Sequence, residues 1–154
     1  MPITLATPDD LDRLLPCMAD FNASDGITVD PTQLRPALLR LLADPSLGRV
    51  ILDKNNGVTS CYAVITWGYD LEYGGRDAWL TEFWVAPTHR GRGLGRTLLA
   101  AAEQVCRDHG ASALHLMVRP DNLPARRLYE GAGYAPPPRL TLSRTLGGPP
   151  PREP

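Results

Sequence analysis

Three features of this 154-residue chain predict an alternating α/β fold. Apolar residues switch repeatedly between strand-like runs and helical spacing. One apolar strand, residues 78–85, runs directly into a basic glycine turn that opens an amphipathic helix. The length suits one domain, and it is enough to bury a proper core.

The elements follow in order. Residues 3–5 read as a short strand, and Thr7 can cap a helix beginning at Pro8. Leu11, Leu14, Leu15 and Met18 recur at helical spacing. Pro16 should kink or divide that helix, because it lacks an N–H and crowds the preceding turn. A second helix over 31–42 carries Leu34, Leu38, Leu41 and Leu42 on one face, with Pro31 and Pro36 both suited to its start. Strands over 49–53 and 58–68 are joined by Asn55-Asn56-Gly57, a hairpin signal. Residues 69–77 read as a loop and 78–85 as the strand entering the glycine turn. The helix over 93–109 buries Leu94, Leu98, Ala102, Val105 and Cys106 and stops at Gly110. A strand over 113–118 and a helix over 124–131 come next, then a last strand over 140–146 beyond Pro136-Pro137-Pro138. Residues 147–154, rich in Gly and Pro, read as a disordered tail, which leaves 1–146 as a single domain.

The formal net charge of -1 argues against general binding of nucleic acid or membrane surfaces. Positive charge is instead gathered locally, around residues 90–96 and 126–127. No apolar run reaches about 18 residues, and the opening Met1-Pro2-Ile3-Thr4 lacks a signal-peptide pattern. Cys17, Cys61 and Cys106 are scattered and odd in number, which fits reduced thiols and a cytoplasmic location. His89, His109 and His115 have no metal-ligand spacing, so no metal is expected.

The segment Glu82-Phe83-Trp84-Val85-Ala86-Pro87-Thr88-His89-Arg90-Gly91-Arg92-Gly93-Leu94-Gly95-Arg96 carries the chemistry. Glycines let backbone N–H groups approach a ligand closely, and the helix behind them aims further N–H groups and a partial positive charge at the same point. The ligand should therefore be a phosphorylated cofactor. No Lys follows the glycines, which excludes a Walker A loop, and their spacing is not that of a dinucleotide fingerprint. What matches is Arg-x-x-Gly-x-Gly, read at Arg90, Gly93 and Gly95. Downstream stands Val118-Arg119-Pro120-Asp121-Asn122-Leu123-Pro124-Ala125-Arg126-Arg127-Leu128-Tyr129-Glu130-Gly131-Ala132-Gly133-Tyr134. These two segments, one helix and one strand apart, resemble the cofactor elements of the GCN5-related N-acetyltransferases (GNAT). The resemblance runs from residue 3 to about 146, with its marks after Val50.

That resemblance implies a mixed central sheet of about six to seven strands flanked by about four helices, with acetyl-CoA as cosubstrate. It implies cofactor contacts from the backbone of Phe83, Trp84 and Val85 to pantetheine, and from Arg90, Gly91, Arg92, Gly93, Leu94, Gly95, Arg96 and Thr97 to the pyrophosphate. Asn122 would bond the pantetheine arm or fix its own loop. Arg92 and Arg96 are equally readable as a solvated helix face.

Acetyl transfer to an amine needs a neutral nucleophile, a site for the oxyanion and a proton for the leaving thiolate. A lysine-like amine of pKa about 10.4 is neutral in only about one molecule in 10³ near pH 7, so proton removal is worth roughly 4–5 kcal/mol. The family often places a carboxylate where Glu82 stands, which makes Glu82 the candidate base; substrate anchor and structural ion pair stay open. Residues 82–85 do not alternate cleanly, so the facing of Glu82 is not fixed by pattern. Tyr129 falls in the family's Asn-x-x-Ala-x-x-Leu-Tyr register and is the candidate acid, against a purely packed ring. Cys61 stands where the family commonly has Gly, and no Cys–His pairing supports a nucleophilic role for it.

The acceptor wall is expected from the first two helices and the loop over 69–77, with Phe21, Tyr69, Glu72 and Tyr73 as candidate contacts. The expected activity is transfer of acetyl to the primary amine of a small molecule, by direct attack in a ternary complex. A non-catalytic acyl-CoA sensor and a peptide-directed enzyme are the alternatives. Many relatives pair into dimers, so a homodimer stays open.

Overall fold

The computed structural model describes residues 2–54 and 57–148. A first strand, β1 (Ile3–Leu5), leads into a 3₁₀ turn, Pro8–Asp10, and then α1 (Leu11–Ser24). Thr7 donates its N–H and its hydroxyl to Asp10 Oδ2, at 2.8 and 3.2 Å, and Lys54 Nζ lies 2.7 Å from the same oxygen. The helix expected from Pro8 therefore begins as a tighter turn. Pro16 sits within α1 without dividing it. Its missing N–H forfeits one bond, to the carbonyl of exposed Asp12, which water can satisfy. In α2 (Pro31–Ala43), Pro31 occupies the first position and the Asp30 side chain accepts from Thr32 N, so Pro36 is the proline that falls inside.

The sheet runs β1–β2–β3–β4–β5, with β2 (Gly48–Asp53), β3 (Cys61–Asp70), β4 (Gly75–Val85) and β5 (Leu114–Leu116). The first three pairings are antiparallel and β4–β5 is parallel, so the sheet is mixed as expected. Of the Asn55-Asn56-Gly57 signal, Asn55 and Asn56 lie outside the described residues. The expected loop over 69–77 is a correction. Strand pairing continues out to Asp70↔Gly75, and the tip is a 3₁₀ turn, Leu71–Tyr73, closed by Gly74 at φ +75°.

Helices cover both faces. Against α3 (Leu94–Asp108) and α4 (Leu123–Gly131) lie Ile51, Cys61, Ala63, Ile65, Ala78 and Leu80, meeting Leu98, Leu99, Ala102, Cys106 and Tyr129. Against α1 and α2 lie Val50, Leu52, Tyr62, Val64 and Trp84, meeting Leu11, Leu14, Met18 and Leu38. The two-residue period of β2 and β3 makes this division, since neighbouring side chains point to opposite faces.

Strand β4 breaks the period once. Ile65 pairs with Leu80 but Val64 pairs with Glu82, so Thr81 is a bulge residue with no partner on β3. Before the bulge, Ala78 and Leu80 face α3. After it, Phe83 and Val85 keep that face, and Trp84 joins the core under α1 and α2. Glu82, two residues before Trp84, shares the α1 face.

Five strands, not six to seven, are present among the described residues. The missing one is that expected over 140–146. Leu140, Leu142 and Leu146 are 89%, 89% and 92% exposed, and no sheet edge pairs with them. The alternating pattern is there, but a strand needs a ladder partner. The chain instead leaves the prolines with Arg139 forked onto Glu72 at 2.8 and 2.7 Å. Of the expected tail over 147–154, residues 149–154 lie outside the described residues.

Candidate active site

Strands β4 and β5 pair only at Ala78↔Leu114, Trp79↔His115 and Leu80↔Leu116. Past the bulge β4 stays paired with β3 but has no partner on its β5 side, and a cleft of about 530 Å³ opens there. Phe83, Trp84 and Val85 form one wall, Asn122, Pro124, Ala125 and Leu128 of the α4 start another. Arg90, Gly91 and Gly95 line the glycine-turn end, and Phe21, Ser24 and Asp25 of α1 close the remaining side. Ala86 N donates to Ser60 O at 2.8 Å. By strand alternation, Phe83 and Val85 therefore turn their backbone groups away from β3, into the cleft, while the backbone of Trp84 faces β3. Of the three expected backbone contacts, Trp84 thus offers its ring rather than its amide.

The glycine turn begins with a 3₁₀ turn, Pro87–His89, and crosses the left-handed region at Gly91 (φ +73°) and Gly93 (φ +83°). A side chain at either would be strained, by about 1–2 kcal/mol. Gly93 caps α3, and its carbonyl accepts from Arg96 N and Thr97 N at 3.0 and 3.2 Å. The N–H groups of Leu94 and Gly95 have no acceptor among the described residues, so they are left open at the helix start. Thr97 Oγ1 donates back to Gly93 O at 3.4 Å. Arg90 Nε donates to Val85 O at 2.9 Å, which ties the turn to the end of β4. Gly95 has a packing reason as well. A Cβ there would stand 3.3 Å from Leu128 Cδ2 and 4.0 Å from Phe83 Cε1, so glycine lets α3 close onto α4 and β4. Arg92 and Arg96 are exposed, and Arg96 lines an adjoining groove with Arg127.

On the α1 face, Tyr62 donates its hydroxyl to Glu82 Oε2 at 2.7 Å. Burial pushes the Glu82 carboxyl above its ordinary value, and the Tyr62 hydrogen bond draws it part of the way back. Such a carboxylate is a stronger base than an exposed one. Beside it, the Trp84 ring lies 5.7 Å from that of Tyr62, and Trp84 Nε1 donates to Asp20 Oδ2 at 3.0 Å. On the α3 face, Tyr129 is 7% exposed and packs edge-on to Phe83 at 5.8 Å and Tyr134 at 6.0 Å. No group among the described residues hydrogen-bonds its hydroxyl. Burial raises its pKa, so it stays a neutral donor. Glu82 and Tyr129 thus stand on opposite faces of the sheet at the parted end of β4.

Asn122 lines the cleft and caps α4, its Oδ1 accepting from Ala125 N at 3.3 Å. Of the expected acceptor contacts, only Phe21 reaches the cleft. Tyr69 pairs with Arg76 in register, nine residues from Val85, or roughly 30 Å along the strand. Glu72 holds Arg139, and Tyr73 packs on His115 at 5.0 Å beside a separate hollow of about 650 Å³ outside β5. Cys61 is fully buried, with its thiol pushed up to about 12, unsuited to nucleophilic attack. No His, Cys, Asp or Glu group with metal-holding geometry occurs among the described residues. No helix among them is long and apolar enough to cross a membrane.

Three residues around the site, Tyr62, Asp20 and Arg119, were not anticipated, and neither was the use of Trp84's side chain. Tyr62, Asp20 and Trp84's side chain depend on the bulge, which sequence does not announce. Arg119 lines the cleft, forks onto Asp121 at 3.0 and 2.9 Å and sits 3.5 Å from Asp25 O, joining the two rims. Its place directly before Asn122's loop was the available signal.

A parted strand pair beside a glycine turn, with open helix N–H groups at one end, suits a phosphorylated ligand with an extended amide-bearing arm. The chain belongs to the GNAT acetyltransferase family: the family model described as "Acetyltransferase (GNAT) family" matches residues 16–134. It is an N-acetyltransferase by that membership. Streptothricin acetyltransferase of Streptomyces lavendulae is 30% identical over 149 residues, covering 84% of this chain and 79% of that protein. A Bacillus subtilis protein, named as a candidate [ribosomal protein bS18]-alanine N-acetyltransferase, is 40% identical over 60 residues. That match takes in 39% of this chain and only 40% of the Bacillus protein's length. Among solved structures, an integron cassette protein from the mobile metagenome of Cole Harbour Salt Marsh superposes with a TM-score of 0.83 at 30% identity, covering 96% of this chain and 91% of that one.

Proposed function

We propose that this protein moves an acetyl group from acetyl-CoA to the primary amine of a small molecule, by direct attack in a ternary complex. The observation that carries the reading is the half-buried carboxylate of Glu82, held by Tyr62 at the parted end of β4 on the face that α1 covers. The similarity to streptothricin acetyltransferase supports a small amine as acceptor. The Bacillus match is too short to carry an acceptor across.

Acetyl-CoA fits the residues present. The Leu94 and Gly95 N–H groups and the open backbone at Gly91 and Gly93 suit its pyrophosphate. The cleft-facing backbone of Phe83 and Val85 suits the pantetheine amides, as a strand edge receives a peptide. When bound, the cosubstrate supplies a thioester-activated acetyl group. Glu82 takes the ammonium proton of the acceptor and leaves a neutral amine. The Tyr129 hydroxyl donates toward the departing thiolate. The acidic side chains of Asp20 and Glu82 favour a cation approaching between α1 and β4.

The test is thiol release from acetyl-CoA across amines, amino acids and short peptides, with Glu82→Gln and Tyr129→Phe alongside. Turnover with one small-amine class, reduced in both variants, is the expected result. Turnover on peptides alone would replace the acceptor, and silence with all acceptors despite tight CoA binding would point to a sensor.

A further inference from the structure

We infer that Tyr62 is a positioning residue for catalysis: its hydroxyl holds Glu82 Oε2, leaving Oε1 to receive the acceptor's proton. The inference rests on the reading of Glu82 as the base.

A phenol has one proton to donate, and Tyr62, at 0% exposure, has no water to give it to. The proton goes to Glu82 Oε2 at 2.7 Å. Burial first, and then the charge of Glu82, push the Tyr62 phenol far above its ordinary value, so it acts only as a donor and does not exchange its own proton. The pairing is diagonal across two strands. Tyr62 lies opposite Trp84, and Val64 opposite Glu82, so the long tyrosine reaches over one position. It can do so because the Thr81 bulge has turned Glu82 to the same face.

The ring is itself held. Tyr62 packs on Trp84, whose indole N–H is fixed by Asp20 on α1. A line of contact therefore runs from the helix beside the acceptor, through Trp84 and Tyr62, to one oxygen of the base. The titratable groups facing this pair are Asp20 and Cys17 from α1, both acidic in character, while α2 presents Leu34, Leu38, Leu41 and Leu42. Tyr62 is thus the group that offsets the cost of ionising Glu82 in this pocket.

The experiment compares Tyr62→Phe, Glu82→Gln and 3-fluorotyrosine placed at position 62, reading kcat against pH with both substrates saturating. Tyr62→Phe keeps the ring against Trp84, so its acetyl-CoA KM should stay close to wild type, and it should remain folded with the lowered melting temperature that loss of one part-buried hydrogen bond to a carboxylate brings. We expect its kcat to fall roughly tenfold or more, as misorientation of a reacting group does. Its acid limb should move to higher pH, because the bond favouring ionised Glu82 is gone. Fluorotyrosine, a stronger donor of nearly the same shape, should move that limb to lower pH. Glu82→Gln should abolish the limb. A wild-type kcat and limb in Tyr62→Phe, with Glu82→Gln still inactive, would overturn the positioning role alone. Wild-type turnover in Glu82→Gln would overturn the base reading itself. If Tyr62→Phe does not fold, an unmoved limb with fluorotyrosine overturns the inference.

Discussion

The two faces of the sheet at the parted end of β4 are equipped by different means, and neither Glu82 nor Tyr129 is itself among the residues lining the cleft. Toward α3 and α4 the polar groups are mostly backbone: open N–H groups of Leu94 and Gly95, the strand edge at Phe83 and Val85, two glycines with positive φ. Tyr129, packed on that face, has a hydroxyl that no group among the described residues engages. Toward α1 and α2 the polar groups are side chains already bonded to one another, Tyr62 to Glu82 and Trp84 to Asp20. A backbone cradle takes the same ligand whatever side chains surround it. A side-chain network is specific to its own residues. The contrast fits a cosubstrate shared by the family on one side and an acceptor particular to this protein on the other.

The comparison can be broken at several points, and the largest effect belongs to the bonded face. Glu82→Gln should lower kcat by about 10²–10⁴ in a steady-state thiol assay, the usual worth of a positioned base. The same variant sharpens a second point through stability. Because burial raises the folded-state pKa of Glu82, the native protein holds that proton more tightly than the unfolded chain. Stability is therefore lost as pH rises from the unfolded carboxylate value through the folded one. Glu82→Gln should melt higher than wild type at pH 7, and the gain should vanish near pH 4. An unchanged difference between those pH values would contradict the assigned shift.

Tyr129→Phe should cost roughly tenfold in kcat, with little change in either KM, since one donor is removed and the ring's packing remains. Gly95→Val tests the backbone face by overpacking. The added side chain presses on Leu128, so we expect a destabilisation of about 1–3 kcal/mol by denaturant titration, with a raised KM for acetyl-CoA. The smallest effects should come from the far end of β4. Tyr69→Ala and Glu72→Ala ought to leave kcat/KM for the acceptor at wild type; a raised acceptor KM would return the hairpin tip to the acceptor site.

Much of the backbone face was legible because its marks are intrinsic to residue type. Gly91 and Gly93 announce positive φ, Asn122 and Pro124 a helix start, and Leu94 to Cys106 an amphipathic period. The bonded face depends on register, which propensity does not carry. An 80–85 segment read with a strict two-residue period would place Glu82 beside Leu80, under α3. The bulge at Thr81 reverses that, and no residue preference in Leu80-Thr81-Glu82 requires one there. The hairpin tip was misread for a related reason. Tyr69, Asp70 and the paired glycines look like a loop, yet Asp70↔Gly75 closes a ladder that carries the acidic tip away from the cleft. At the C-terminus the pattern Leu140, Leu142 satisfied a strand's periodicity without supplying the neighbour that a strand requires.

The bulge has one more consequence, which concerns how this strand can change over evolutionary time. Substitution alters one wall residue at a time, whereas flattening the bulge with Thr81 kept in the ladder would rotate everything after it at once. Phe83 and Val85 would then trade places with Glu82 and Trp84, sending Glu82 under α3 and two apolar side chains under α1. Deleting the Thr81 codon would instead leave every face as it is, since Leu80 and Glu82 would become neighbours on opposite faces of a regular ladder. Point changes on α1 leave this untouched, because the assignment of residues to the two faces is set by the two-for-one pairing at Thr81.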